Sequence, residues 1–310
     1  MSETGWAIAL HGGAGTIPRA QVSAEKEAEC HDGLRRALRA GADILEQGGS
    51  SFDAVEATVI ELENDPNFNA GHGSVLTSDG GFELDASIMR GSDLEAGAVV
   101  GVSRIEHPIS LARLVLEKSD HLMFVGEGAY EFAKSQNVPF VDPSFFDTPY
   151  RRAQLEAAKK ASVVSLDHND GKFGTVGAVA RDRSGGLAAA TSTGGMTNKK
   201  PGRIGDTPLI GAGTYASDQS CAVSATGHGE MFIRMTVARD IAALMEYANY
   251  SLEDAVHRKV MEELPKIDGD GGVVAIGKTG APILVMNTDG MYRASMVENG
   301  KPYTAIFGDE

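Results

Sequence analysis

A glycine followed by a threonine, Gly174-Thr175, stands where an irregular polar segment, Asp167-His168-Asn169-Asp170-Gly171-Lys172-Phe173, meets an apolar run, Val176-Gly177-Ala178-Val179. A threonine hydroxyl placed there can attack the carbonyl before it, because glycine lets the preceding peptide take a strained geometry. Scission frees the α-amine of Thr175, whose ordinary pKa of about 7.7–8.0 makes it a usable base near neutrality. Nucleophile and base then reside on one residue. The same pattern also suits a β-branched residue that starts a strand, and the local sequence leaves both readings open.

Other stretches that suggest chemistry are weaker. Gly272-Val273-Val274-Ala275-Ile276-Gly277-Lys278-Thr279 has Walker A spacing. A phosphate loop needs pliant backbone and a following helix, whereas these intervening residues are β-formers and Gly280 leads into another strand; a hairpin turn is the better reading. Ala190-Thr191-Ser192-Thr193-Gly194 is one residue short of a nucleophile elbow, and His11-Gly12-Gly13-Ala14 resembles an esterase oxyanion loop. No helix can follow Ser192 through Gly195 to Gly202, so a serine hydrolase is a minor alternative, and His11–Gly15 reads as a tight turn closing a strand.

The elements that would position these residues follow from periodicity. Trp6–Leu10 reads as a buried strand. Helical spacing over about Ala24–Gln47 (Leu34, Leu38, Ala42, Leu45) ends at Gly48-Gly49, and a second helix capped by Ser51 runs through Val55, Val59 and Leu62. Strands are expected at Phe82–Met89 and Ala96–Val102, and helices at about Pro108–Glu117 and Glu127–Ser135. Pro139 to Lys172 is polar, with helical character only around Arg151–Lys160, and its later part, about 155–174, reads as a mobile linker. Strands then follow at Thr175–Arg181, Gly186–Thr191, Leu209–Gly211 and Ser220–Thr226, a single amphipathic helix over Gly229–Tyr247, and a helix from Ser251 to near Pro265. The chain closes with a meander, Gly272–Ile276, Ala281–Asn287, Met291–Met296 and Tyr303–Phe307. Strands in runs and helices in pairs indicate a layered α+β domain.

Composition narrows the function classes. A net charge of −15 disfavours nucleic acid and anionic membranes as partners. Cys30 and Cys221 are too few for a disulfide framework and lack metal-ligand spacing. With no basic and apolar leader and no long apolar run, a soluble cytoplasmic protein is expected.

Seven motifs occur in order: Leu10-His11-Gly12-Gly13-Ala14-Gly15, Phe68-Asn69-Ala70-Gly71, Glu83–Met89, Gly174–Ala180, Ala190–Lys199, Pro201-Gly202-Arg203-Ile204-Gly205-Asp206 and Thr226-Gly227-His228-Gly229-Glu230. Together they resemble the isoaspartyl peptidase/L-asparaginase family of N-terminal-nucleophile hydrolases, the plant-type asparaginases. The resemblance implies a single domain over 1–310 with a four-layer αββα sandwich. It also implies autocleavage at Gly174–Thr175 into an α subunit, 1–174, and a β subunit, 175–310, assembled as (αβ)₂.

Site roles follow by position from the same resemblance. Thr175 is the nucleophile, Thr193 orients its hydroxyl, and Asn69 supports it. Thr226 and Gly227 form the oxyanion hole. Arg203 takes the substrate α-carboxylate, Asp206 takes the α-ammonium, and Gly229 lines the binding site. A structural sodium ion on the backbone carbonyls of Leu62, Glu63, Asp65, Phe68, Ala70 and His72 is implied, with no cofactor for catalysis. The expected substrates are β-aspartyl dipeptides and L-asparagine; a glycosylasparaginase and a non-catalytic module with the same fold are the rivals.

Overall fold

The computed structural model describes residues 5–161 and 174–310. Its strands are β1 (Ala7–Gly15), β2 (Leu84–Arg90), β3 (Ala96–Val102), β4 (Met123–Val125), β5 (Val176–Arg181), β6 (Leu187–Thr193), β7 (Thr214–Ala216), β8 (Cys221–Gly227), β9 (Gly271–Gly277), β10 (Ile283–Met286), β11 (Gly290–Val297) and β12 (Tyr303–Phe307). The helices are α1 (Ala24–Glu46), α2 (Ser51–Asn64), α3 (Pro108–Lys118), α4 (Gly126–Ser135), α5 (Pro149–Ala161), α6 (Gly229–Met235), α7 (Val237–Ala248) and α8 (Leu252–His257).

The strands form an eight-stranded sheet, ordered β12-β11-β1-β5-β6-β2-β3-β4, and a four-stranded sheet, ordered β10-β9-β8-β7. In the large sheet only β3 and β4 pair in parallel. Alternate side chains of a strand point to opposite faces, and both faces of this sheet are covered. Ile8, Leu10, Val176, Ala178, Ala188 and Ala190 pack with Leu34 and Leu38 of α1, Val55 and Val59 of α2, and Ile109 of α3. Ala7, Ala9, Val179, Leu187 and Ala189 join a second core with Val223, Ala225, Val273 and Ala275 of the small sheet and Ile241 and Val256 of α7 and α8. Alanines on this inner face let the two sheets approach closely.

Most expected elements are present within a residue or two, and the differences have local causes. His11–Gly15 does not close β1 as a turn; the strand continues to Gly15, with a bulge between His11 and Gly13. Ser50, rather than Ser51, caps α2, because its side chain accepts the Asp53 N–H. The helix expected over Gly229–Tyr247 breaks at Thr236, which is left-handed at φ 45°. There the α7 amides of Ala238 and Arg239 donate to the Ala212 and Gly211 carbonyls, so the new helix start has backbone partners from another loop. Leu209–Gly211 is not a strand but part of the turn leading to β7. Gly272–Ile276 lies in buried strand β9, and Gly280, at φ 82°, turns the chain toward β10 as a hairpin demands. Of the stretch 155–174 that reads as a linker, 155–161 end α5 with Leu155 and Ala158 buried; 162–173 fall outside the described residues. Among the described residues no helix is long and apolar enough to cross a membrane.

One glycine controls how the sheets meet. A Cβ on Gly177 of β5 would stand 2.0 Å from Ser224 Oγ on β8 and 2.7 Å from His11 Nε2 on β1. Gly177→Ala is expected to destabilise the fold by about 1–3 kcal/mol through overpacking. Gly128→Ala in α4, where the nearest atom is 4.0 Å away, should be neutral or stabilising. Urea denaturation of the two variants checks the contrast, and equal stabilities would contradict this account of the interface.

Candidate active site

Thr175 immediately precedes β5, which lies between β1 and β6 in the large sheet. Its parity with Gly177 and Val179 turns it toward the small sheet, and it is 9% exposed. Thr175 Oγ1 donates to Thr193 Oγ1 at 2.9 Å, across the β5/β6 pair whose register sets Val176 against Ser192. Thr193 Oγ1 also accepts the Gly195 N–H at 2.9 Å, so it is fixed from the loop that follows β6.

The Thr175 carbonyl is held by a residue for which the sequence suggested only a turn. His11 is fully buried, and desolvation pushes its imidazole down to about 3, so it is neutral. Its Nδ1 lies 3.0 Å from the Thr175 carbonyl oxygen, which can only accept; Nδ1 therefore carries the proton. Nε2 then accepts from Ser224 Oγ at 2.9 Å. Behind Ser224, Thr191 lies at 2.7 Å and accepts from Thr214 at 2.6 Å. These hydroxyls can all donate in one sense, toward the imidazole and through it to Thr175. No signal in the sequence links residues so far apart along the chain.

A cavity opens beside Thr175, lined also by Ala14, Asn69, Gly174, Thr193, Gly195, Met196, Arg203, Gly205, Asp206, Thr207 and Gly227. It gathers most of the expected catalytic and substrate-binding residues and none of the six expected to hold the sodium ion. Thr226 and Gly229 adjoin it: a Cβ on Gly174 would be 3.1 Å from Thr226 Oγ1, and one on Gly229 would be 2.8 Å from Asp206 Oδ1. Thr226 Oγ1 accepts the Ala14 N–H at 3.3 Å, which leaves its own O–H available to donate. Asn69 is engaged with backbone at both ends of its amide, Nδ2 donating to Gly195 O at 2.7 Å and Oδ1 accepting from Val75 N at 3.0 Å.

The charged groups sit on one loop. Glu83 anchors it: its carbonyl accepts from Lys199 Nζ at 2.7 Å and its carboxylate accepts the Gly202 N–H. Arg203 follows, and its Nε and Nη2 donate to the two carboxylate oxygens of Glu230 at 2.9 and 2.7 Å. Asp206 is 3% exposed, and among the described residues its Oδ2 has no hydrogen-bond partner. Burial pushes its carboxyl up to about 7, opposed in part by the charge of Arg203. Thr207 Oγ1 is likewise buried and unsatisfied. Buried polar atoms normally find partners, so a cavity edged by such oxygens is built for a ligand with donors to offer. Among the described residues no His, Cys, Asp and Glu cluster could hold a metal ion.

Ser192, the serine alternative, faces the other way. Its Oγ donates to Glu63 Oε1 at 2.6 Å on the helix side of the sheet, with neighbouring positions of β6 alternating toward the cavity.

A family model described as Asparaginase matches residues 4–306 of the chain. An isoaspartyl peptidase of Salmonella typhimurium is 53% identical over 306 residues, covering 97% of this chain and 98% of its own length. The isoaspartyl peptidase of Escherichia coli is 50% identical, covering 98% and 96%. An isoaspartyl peptidase/L-asparaginase of Bos taurus is 41% identical, covering 97% and 96%.

The raised carboxyl of Asp206 has a consequence for stability. The folded chain holds this proton up to about pH 7, whereas an unfolded aspartate releases it near 3.8. Folding therefore weakens as pH rises through that window and levels off above it, where both states are ionised. Asp206→Asn lacks this penalty. Its stability advantage over the parent should grow by about 2–4 kcal/mol between those limits. Denaturant titrations across the pH range check this, and a gap that does not change with pH would mean Asp206 is ionised without penalty.

Proposed function

The chain belongs to this asparaginase family, and from that premise we propose that it hydrolyses β-aspartyl dipeptides and L-asparagine with Thr175 as N-terminal nucleophile. The observation that carries the proposal is the cavity itself: the Thr175 hydroxyl shares it with a guanidinium, Arg203, and with the carboxyl of Asp206, whose Oδ2 has no partner among the described residues. A zwitterionic amino-acid head needs that pair, a carboxylate for the arginine and an ammonium for the aspartate. The reacting β-carbonyl then points along the side chain toward Thr175.

Maturation uses the same groups. Thr175 Oγ attacks the Gly174 carbonyl, its proton leaving along the hydrogen bond to Thr193. The peptide C–N bond breaks as the Thr175 amine takes a proton, and water hydrolyses the resulting ester to give an α subunit, 1–174, and a β subunit, 175–310. In turnover the freed amine takes the Oγ proton as Oγ adds to the β-carbonyl. The Thr226 hydroxyl and the Gly227 N–H stabilise the oxyanion. The amine returns the proton to the leaving ammonia or amino acid. Water then cleaves the β-aspartyl ester on Thr175 and restores the hydroxyl. Asn69 and Thr193 position, and Gly229 allows the head group to approach Arg203 and Asp206.

The proposal extends to architecture. Helices α1–α3 against the large sheet, and α7 and α8 against the small one, support a four-layer αββα sandwich, assembled as (αβ)₂. The carbonyls of Leu62, Glu63, Asp65, Phe68, Ala70 and His72 would hold a sodium ion. Fit is supported at Gly71 and Gly73, where a Cβ would stand 2.3 Å from Glu63 O and 2.0 Å from Phe68 O, so two of these carbonyls lie close against the glycines that flank His72. The ion takes no part in the reaction and would brace the backbone around Asn69.

Thr175→Ala is expected to give one uncut, inactive chain by intact-mass analysis and ammonia release; a cleaved or active variant would refute the nucleophile. L-Aspartate should inhibit competitively, with affinity falling from about pH 8 to about pH 6 as Asp206 takes up its proton. Succinate, which has no ammonium, should not share that fall, although the Thr175 amine titrates for both. An equal fall for the two would remove Asp206 from ammonium recognition.

A further inference from the structure

Arg203 and Asp206 have opposite charge, share one loop and line one cavity, yet among the described residues they do not pair with each other. Both flank Gly229. A Cβ on Gly229 would stand 2.8 Å from Asp206 Oδ1 and 3.1 Å from Arg203 Nη2. An arginine this close to a buried carboxyl with an unsatisfied oxygen ought to collapse onto it, since such a pair would satisfy both. What prevents this is Glu230, in the first turn of α6. Its carboxylate takes Nε and Nη2 of Arg203 as a two-point fork at 2.9 and 2.7 Å. With both atoms held on that edge, the guanidinium plane is fixed, and Nη1 lies against Gly205.

We infer that Glu230 is a positioning residue that sets substrate specificity by holding Arg203 away from Asp206, so that the cavity keeps two separate handles for a zwitterion. The inference rests on the amino-acid-hydrolysing reading of the site and deepens it. Glu230 touches neither the reacting carbonyl nor Thr175; it acts through Arg203. Its side chain is 43% exposed, on the solvent side of a guanidinium that is itself 17% exposed, so replacing it does not open the core. His228, with Nε2 at 3.5 Å from Glu230, lies at the outer end of this arrangement.

The consequence of losing Glu230 has a definite sign. The released guanidinium moves to Asp206, the two handles neutralise each other, and substrate must break that pair to bind. Binding suffers and the chemical step does not, because Thr175, Thr193, Thr226 and His11 are untouched. Glu230→Gln keeps one acceptor oxygen for the guanidinium and should lie between the parent and Glu230→Ala.

The test uses the full chain after processing. For L-asparagine, Glu230→Ala should raise KM at least about tenfold with kcat within about threefold, and Glu230→Gln should recover part of the loss. Autocleavage, followed by intact mass, should proceed as in the parent. A crystal structure of Glu230→Ala should show Arg203 in hydrogen-bond contact with Asp206. An unchanged KM, a fall in kcat at constant KM, or an Arg203 that stays clear of Asp206 in that structure would each overturn the inference. Failure of the parent chain to release ammonia from asparagine would instead overturn the functional reading, and the Arg203–Asp206 contact in the variant would still decide whether Glu230 holds them apart.

Discussion

The hydrogen bond from His11 Nδ1 to the Thr175 carbonyl, 3.0 Å long and fully buried, fixes the residue on which the proposed chemistry depends. Thr175 immediately precedes β5, so its backbone lies at the end of the β ladder. After scission it would also lack a preceding residue. What remains is the carbonyl anchor, the Oγ contact to Thr193 and the strand beyond. The anchor is dependable because burial keeps the imidazole neutral, which leaves one nitrogen to donate and the other to accept from Ser224. Had the ring been charged, both nitrogens would donate and the chain of hydroxyls through Thr191 and Thr214 would have to reverse.

The same contact explains why strands from both sheets meet at one point. His11 comes from β1, Thr175 from the head of β5, Thr191 from β6 and Ser224 from β8. Space for them exists because Gly177 has no side chain, and because Gly13 has none either: a Cβ there would lie 2.2 Å from Gly174 N. His11 shares the inward parity of Ala7 and Ala9, so its ring points between the sheets, and the bulge that follows it turns Ala14 to the same side, where Ala14 N reaches Thr226. Thr175, its anchor and the Thr226 hydroxyl are thus set by sheet packing rather than by flexible loops.

On the substrate side, electrostatics rather than packing governs. The cavity keeps a positive and a negative group from cancelling, and it does so with a third charge placed outside. Asp206 is uncomfortable as a carboxylate in the empty site, and its partner must come from the ligand. In the proposed function that partner is the ammonium of a compact zwitterion whose carboxylate meets Arg203.

Much of this was legible in the sequence. Gly174-Thr175 with an apolar run behind it suggested the nucleophile, seven ordered motifs identified the family, and helical or alternating periodicity placed most elements, because these signals are local and repeat along the chain. Ser192 could be set aside for want of a following helix, and the strand parity that turns it toward Glu63 agrees. Contacts between distant residues were decided only in three dimensions. The sequence offered a turn at His11, but the partner 164 positions away made it a strand carrying an anchor. It offered one helix over Gly229–Tyr247, but carbonyls of Gly211 and Ala212 captured the amides after Thr236 and divided it. It offered Arg203 and Asp206 as a pair of handles, but not the Glu230 fork that keeps them apart. Periodicity and motif spacing record what each segment prefers alone; which buried donor meets which acceptor depends on how the sheets pack, and that is a property of the whole chain.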